Sequence, residues 1–277
     1  MKNFRIPRVA LLLLGASFFA CQSEKTEMQE DLQNGISPEI VSKLADYDMN
    51  TNGVTKVDFL LPDGSTQPMY QVEGDIHMTE KQIKGLNSVQ GLSARNYHTN
   101  NLVNQNTTIN IIGYTGGGGY GLSSKERTAL QWAVNNYNRL NLSISFNLTY
   151  GTNYGPQDMV VYHNPNQNGA GGSAGFPEGG KPFKFVQIYG LNNYDTNVVE
   201  HVITHEIGHS VGFRHTDWFS RQSCGQNVNE GTAGVGANPI PGTPSGYDPT
   251  SVMIACFNGS DDGEFGQYDI VALNYLY

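Results

Sequence analysis

No basic stripe runs along this chain. Its formal net charge is −9, and the acidic excess is shared by the residues before and after position 100. Neither part could track a run of phosphates, so no nucleic acid is expected as a partner. Internal repeats are absent, and beyond the first 20 residues there is no second long apolar run. Cysteine is scarce, with three in 277 residues, and so is histidine, with seven. Three of those histidines fall inside one short stretch, HEIGHSVGFRH, residues 205–215. The chain is long enough to bury a substantial core, as one large domain or two small ones.

The N-terminus, MKNFRIPRVALLLLGASFFAC, places Lys2, Arg5 and Arg8 ahead of an apolar run from Val9 to Phe19. That run is shorter than the about 20 apolar residues needed to cross a bilayer, so it reads as a secretory signal. Phe18, Phe19, Ala20 and Cys21 resemble the lipobox of bacterial lipoproteins, although Phe18 stands where leucine is usual. The resemblance implies that residues 1–20 are removed and Cys21 is lipidated. Acyl chains contributing about 0.8 kcal/mol per buried methylene would then tether the protein to a membrane without spanning it. The expected location is the bacterial cell envelope, with display on the outer-membrane surface or release after processing as its two outcomes. Residues 21–35 form a polar, acidic tether. Cys224 and Cys256 remain as an even pair in an exported chain, which favours a disulfide over two buried thiols. Such a bridge would close a loop of roughly 30 residues and stabilise by about 3 kcal/mol.

Residues 36–105 combine helical fragments (ISPEIVSKLADYDM and HMTEKQIKGLN) with an extended stretch, TKVDFLLPDG. They end in SARNYHTNNLVNQNT, polar and asparagine-rich, which reads as an exposed linker. From residue 106 to 277 the texture changes. TTINIIGYT, LSISFNLTY, QDMVVYH and FKFVQIYG read as strands. SSKERTALQWAVNNYNRL sets Leu130, Ala133, Val134, Tyr137 and Leu140 on one helical face, behind Ser123 or Ser124 as cap. A second helix starts at Asp195 or Thr196 and runs into the histidine motif, and QYDIVALNYLY closes the chain as a short helix. The expected fold class is α+β.

His205 and His209 are four residues apart, so on a helix of 3.6 residues per turn they share a face and can hold one zinc ion. Glu206 lies about 100° round from the first ligand, where its carboxylate serves as a base better than as a further ligand. Gly212 can adopt the left-handed conformation that ends the helix and returns His215 to the same ion. Three protein nitrogens leave a coordination position open to water, as catalytic zinc sites do. His201 shares the face of His205 and reads as a packing or supporting histidine. His77, His98 and His163 are expected in surface or linker roles. Asp261, Asp262 and Glu264 form an acidic turn, for which a calcium site and a plain exposed turn both stay open.

The pattern HExxHxxGxxH resembles the metzincin zinc endopeptidases, and HEIGH followed by GFRHTDW is most similar to the bacterial dual-action HEIGH metallopeptidases. This likeness covers about Asn106 to Tyr277. It implies a twisted mixed sheet, an active-site helix, a methionine turn at Met253 in SVMIA and a C-terminal helix. A Cys224–Cys256 bridge would pin that turn to the loop after His215. GFRH is similar to the astacin branch, whose methionine turn also carries a tyrosine two residues on. Here Ala255 stands at that place, and Tyr247 is merely close in sequence. The family likeness also implies a substrate-binding edge strand within GGSAGFPEGGKPF, with Ala174, Gly175 and Phe176 nearest the cleft. VEGDI, residues 72–76, is similar to the FxGD segment of astacin propeptides, with Val72 in place of phenylalanine. That resemblance implies that Asp75 occupies the water position on zinc until the chain is cut in the linker, near Arg95. A glycine–aspartate turn pair is the plainer reading of the same residues. The expected protein is thus a monomeric, lipid-anchored zinc metalloendopeptidase acting on protein or peptide substrates and made as a proenzyme. The alternative is a catalytically silent zinc-containing surface protein that binds peptides or glycans.

Overall fold

The strands expected after residue 106 assemble into a single mixed sheet in the computed structural model, which describes residues 35–45, 49, 51, 53–86, 97–229, 238–244 and 246–277. The expected signal, Cys21, the part of the expected tether before Gly35, and Arg95 lie outside these residues. In β5 (Thr107–Tyr114), Ile109 and Ile111 are fully buried, as the alternation in TTINIIGYT requires. It pairs in parallel with β6 (Ile144–Gly151) and with β7 (Met159–His163), and β7 pairs in parallel with β9 (Phe185–Tyr189). β8 (Gly171–Ser173) closes one side, antiparallel to β9, giving the order β6-β5-β7-β9-β8.

α3 (Ser124–Asn138) opens on a capping box: Ser123 Oγ accepts from Glu126 N, and Ser123 N donates to Glu126 Oε2 at 2.7 Å. Leu130, Ala133, Val134 and Tyr137 are buried on one face, and Leu140 is partly buried just past the helix end. α4 (Thr196–Ser210) packs against α3 and runs past β8 and β9. Every residue from Val198 to Ser210 is buried, so this helix shows little of the one-sided pattern a surface helix would have. α5 (Gln267–Leu276) ends the chain. Asp269 at its start accepts from Ser251 Oγ at 2.6 Å and Val252 N at 2.8 Å, which fixes the loop carrying Met253 to this helix.

The residues ahead of the sheet form α1 (Pro38–Ala45), a three-stranded antiparallel meander β1 (Thr55–Leu60), β2 (Thr66–Val72) and β3 (Ile76–Met78), and α2 (Glu80–Lys84). The meander contributes buried side chains from both faces. Tyr70, Val72 and Ile76 join Ile40 and Leu44 of α1 in a small core, while Phe59 and Met69 enter the main core. Phe176, from the stretch after β8, completes the small core.

The linker expected to be exposed at SARNYHTNNLVNQNT is exposed at Asn100, Asn101 and residues 104–106, but is anchored at other positions of its described part. Tyr97 is 1% exposed, and Thr99 and Val103 are also buried. β4 (Tyr97–His98) pairs with β10 (Asn238–Pro239). Thr99 N donates to Gly212 O at 2.8 Å and Tyr97 O accepts from Arg214 N at 3.0 Å. Main-chain hydrogen bonds to the histidine loop hold this segment in place, and side-chain composition is blind to them. Among the described residues, no helix is long and apolar enough to cross a membrane.

Candidate metal centre

α4 presents His205 and His209 one turn apart. His205 Nδ1 lies 2.9 Å from Val252 O and His209 Nδ1 lies 2.8 Å from Phe213 O. Both contacts require Nδ1–H as donor, which leaves each Nε2 lone pair facing the same space. Gly212 then turns the chain at φ +113°, as its place in the motif implies. A Cβ there would lie 2.7 Å from Leu102 and 2.9 Å from Asn101 O. His215 comes back beside the helix, its Nε2 3.3 Å from that of His209.

The fourth group comes from the N-terminal meander. Asp75, in the turn between β2 and β3, places Oδ2 3.0 Å from His215 Nε2 and 3.8 Å from His205 Nε2. The ligand atoms of Asp75, His205, His209 and His215 all lie within 4.8 Å of one another. Asp75 Oδ1 and, beside the group, Glu206 Oε2 are buried with no hydrogen-bond partner among the described residues. Three imidazole nitrogens and a carboxylate oxygen so arranged fit a zinc ion in both number and chemistry. No other His, Cys, Asp and Glu group among the described residues converges in this way.

The electrostatics follow from this crowding. Burial pushes Asp75 up, but the charge of His215 and hydrogen bonds from His205 and His215 outweigh it and hold the carboxyl well below its ordinary range. Burial, then the charge of Asp75, pushes Glu206 well above the ordinary glutamate range. Burial, then the neighbouring His205 and His215, holds His209 well below the usual imidazole value. Glu206 also packs tightly against the edge strand: a Cβ on Gly172 would sit 2.7 Å from its Oε1.

Met253 is 3% exposed and lies under the helix at Gly208, where a Cβ would come within 2.4 Å of its Sδ. The glycine of HEIGH, Gly208, is therefore a matter of close packing. A disulfide joins Cys224 and Cys256, whose Cα atoms are 5.1 Å apart. Asp217 reinforces the same corner, accepting from Ser223 Oγ at 2.6 Å and from Ala255 N at 2.9 Å. A cleft of about 460 Å³ runs over the group, lined among others by Gly74, Asp75, Gly172, Tyr189, His205, Glu206 and Ala255.

A family model described as dual-action HEIGH metallo-peptidase matches residues 70–277. The chain belongs to this family. Membership makes it a metallopeptidase, a peptide hydrolase that uses a metal, normally zinc. The family match begins well upstream of Asn106, where the likeness was expected to start, and takes in Asp75. Among solved structures, the chain is similar to one titled "Structure of Myroilysin", at 13% identity and a TM-score of 0.39, covering 70% of this chain and 91% of that one. None of the curated proteins matches.

Several sequence expectations need adjustment in this family member. The edge strand is Gly171–Ser173, and Ala174 continues it only as a single parallel bridge to Ile76. Gly175 and Phe176 lie beyond it, and Phe176 is buried, its ring 6.0 Å from that of His209. His77 is no surface residue: it is 2% exposed with its ring 4.7 Å from Phe59, and burial pushes its pKa down to about 4. His98 and His163 are half-buried and engage Thr99 O and Glu126. His201 stacks over His205 at 6.5 Å, with Nδ1 against Asp262 O at 2.8 Å. In the acidic turn, Asp261 accepts from Asn258, Asp262 from Glu264 N, and Glu264 pairs with Arg139. Those carboxylates are engaged by the protein itself. Tyr247 is half-buried and is not among the cleft-lining residues.

Sequence reasoning missed the Glu73–Arg214 pair. Arg214 Nη2 meets Glu73 Oε2 at 2.7 Å, and both side chains are 1% exposed. No local signal pairs them, since VEGDI offers two acidic residues, Glu73 and Asp75, and Arg214 lies in a distant motif.

Proposed function

We propose that this metallopeptidase is a zinc metalloendopeptidase made as a latent proenzyme. His205, His209 and His215 hold one zinc ion, and Asp75 takes the ligand position that a reacting water needs. One observation carries the reading. A carboxylate from the N-terminal segment lies among three histidine nitrogens, 3.0 Å from His215 Nε2, with its other oxygen unpartnered. The backbone around it supports the same reading, since Ala174 N donates to Asp75 O at 3.0 Å and His77 N donates to Ala174 O at 2.7 Å.

Zinc, when bound, supplies Lewis-acid activation of water and of the scissile carbonyl. Proton transfer falls to Glu206. Departure of Asp75 removes the negative charge that raises the Glu206 pKa, so the carboxylate becomes free to accept the proton of the attacking water and pass it to the leaving amine. The main chain of Gly172 to Ala174, released from residues 75–77, offers its donors and acceptors to an extended substrate. Met253 serves as the methionine turn, an apolar floor under the ligands. Residues 36–105 are the propeptide and linker, cut near Arg95, and 106–277 the catalytic domain. Lipidation at Cys21 would hold the monomer in the bacterial cell envelope after export, at the outer-membrane surface or as a source of released enzyme, with protein or peptide substrates as its partners.

The test compares the full chain with its Asp75→Ala and Glu206→Ala variants on a broad peptide panel, with and without a chelator. Asp75→Ala is expected to raise cleavage at least about tenfold, and the chelator to abolish it. Glu206→Ala should lower activity by about 10²–10⁴-fold. Equal activity of the wild type and Asp75→Ala would remove the latency claim. Absence of cleavage at full zinc occupancy, with Glu206→Ala without effect, would remove the peptidase mechanism.

A further inference from the structure

We infer that Arg214, assisted by Arg221, forms an acid-selective pocket, so that preferred substrates carry a glutamate or aspartate close to the scissile bond. This rests on the peptidase reading and adds the substrate class to it. Glu73 lies two residues ahead of Asp75, on a segment that the edge strand holds by two main-chain hydrogen bonds on either side of Ala174. A chain gripped there, with a neighbouring carboxylate among the zinc-site histidines, lies where an extended substrate would be gripped. Glu73 therefore stands in for a substrate side chain.

That side chain enters a basic pocket. Arg214 Nη2 binds its carboxylate at 2.7 Å, and Arg221 Nη1 donates to Glu73 O at 3.1 Å. Glu73 adopts φ 57°, a left-handed conformation uncommon for glutamate, and the ion pair offsets that strain. Arg214 is positioned by other parts of the chain. Its guanidinium lies 5.8 Å over the Trp218 ring and its backbone N donates to Tyr97 O. The pocket therefore persists when the N-terminal segment departs. A guanidinium stays charged at every accessible pH, and a buried one that loses its carboxylate is unfavourable. An incoming carboxylate restores the pairing, whereas glutamine or asparagine does not.

The experiment starts from the folded full chain, activated by limited proteolysis, and compares matched peptides with Glu or Asp against Gln or Asn beside the scissile bond. The acidic member of each pair is expected to show at least about tenfold higher kcat/KM. Arg214→Gln should bring that ratio close to one. Because Arg214 is buried and its replacement threatens folding, Arg221→Gln is measured as well and should lower the ratio several-fold. A wild-type ratio near one, or a ratio unchanged in both variants, overturns the inference while leaving the peptidase reading intact. If nothing is cleaved, the peptidase reading fails, and binding decides the pocket separately. A synthetic peptide of residues 66–86 should bind the activated protein at least about tenfold more tightly than the same peptide with Glu73→Gln, and equal affinity overturns the pocket.

Discussion

Glu200 is 4% exposed on α4, where its Oε1 accepts from Asn136 Nδ2 at 2.8 Å. Burial, followed by the charges of Glu264 and Asp262, pushes its carboxyl up to about 7 from 4.5. The folded chain therefore keeps this proton over a pH range in which the unfolded chain releases it. Stability from this group is present below about 4.5 and lost as pH rises toward 7. Glu200→Gln keeps the acceptor for Asn136 and cannot ionise. Urea unfolding should find the variant more stable by about 1–3 kcal/mol at pH 8, the gap closing toward pH 4. A difference independent of pH would assign the titration to another group. HExxHxxGxxH made the candidate metal ligands readable one by one, because their places follow from helical spacing and the glycine turn. Glu73 and Arg214 were unreadable in the same sequence, since 141 positions separate the partners and no local pattern encodes the contact.

The active-site helix and the corner that follows it depend on close backbone approaches. Gly212→Ala would force a side chain into a φ of +113° and against Leu102 and Asn101 O. Such a substitution is expected to destabilise by more than about 1 kcal/mol and, because His215 follows this turn, to weaken zinc binding in a competitive chelation titration. Unchanged stability and affinity would show that the turn tolerates a side chain. The Cys224–Cys256 bridge ties the loop after His215 to the stretch after Met253, across a sequence separation of 32. Replacing both cysteines with serine should lower unfolding free energy by about 3 kcal/mol, measured by denaturant titration. Retained stability would mean that Asp217 and Ser223 already hold this corner. The sequence pattern gave the main strands and helices near their observed positions. The edge strand falls within GGSAGFPEGGKPF as expected, at Gly171–Ser173, but its bounds were not readable, because a three-residue strand among glycines and alanine has no alternation and its pairing partner lies elsewhere in the chain.

At the scale of the whole molecule, one group of candidate metal ligands joins the N-terminal meander, the histidine-bearing helix and the returning loop. Ligand binding to the folded state alone raises stability by mass action, about 2.7 kcal/mol at a hundredfold excess over Kd. Chelation of the zinc-loaded full chain should therefore lower Tm, and added zinc should restore it. A Tm insensitive to both would show that the four-residue group holds no metal. Patterning and motif spacing by themselves determined the mixed α and β character and the residue types suited to a metal and to proton transfer, because these depend on local periodicity and side-chain chemistry, and the resemblance of HExxHxxGxxH pointed to the metallopeptidase family. Only the tertiary structure decided that Asp75 reaches the histidines, that Tyr97, Thr99 and Val103 are buried and that Glu73 pairs with Arg214. Those outcomes depend on long-range main-chain pairing and on desolvation by neighbours remote in sequence, which no window of residues contains.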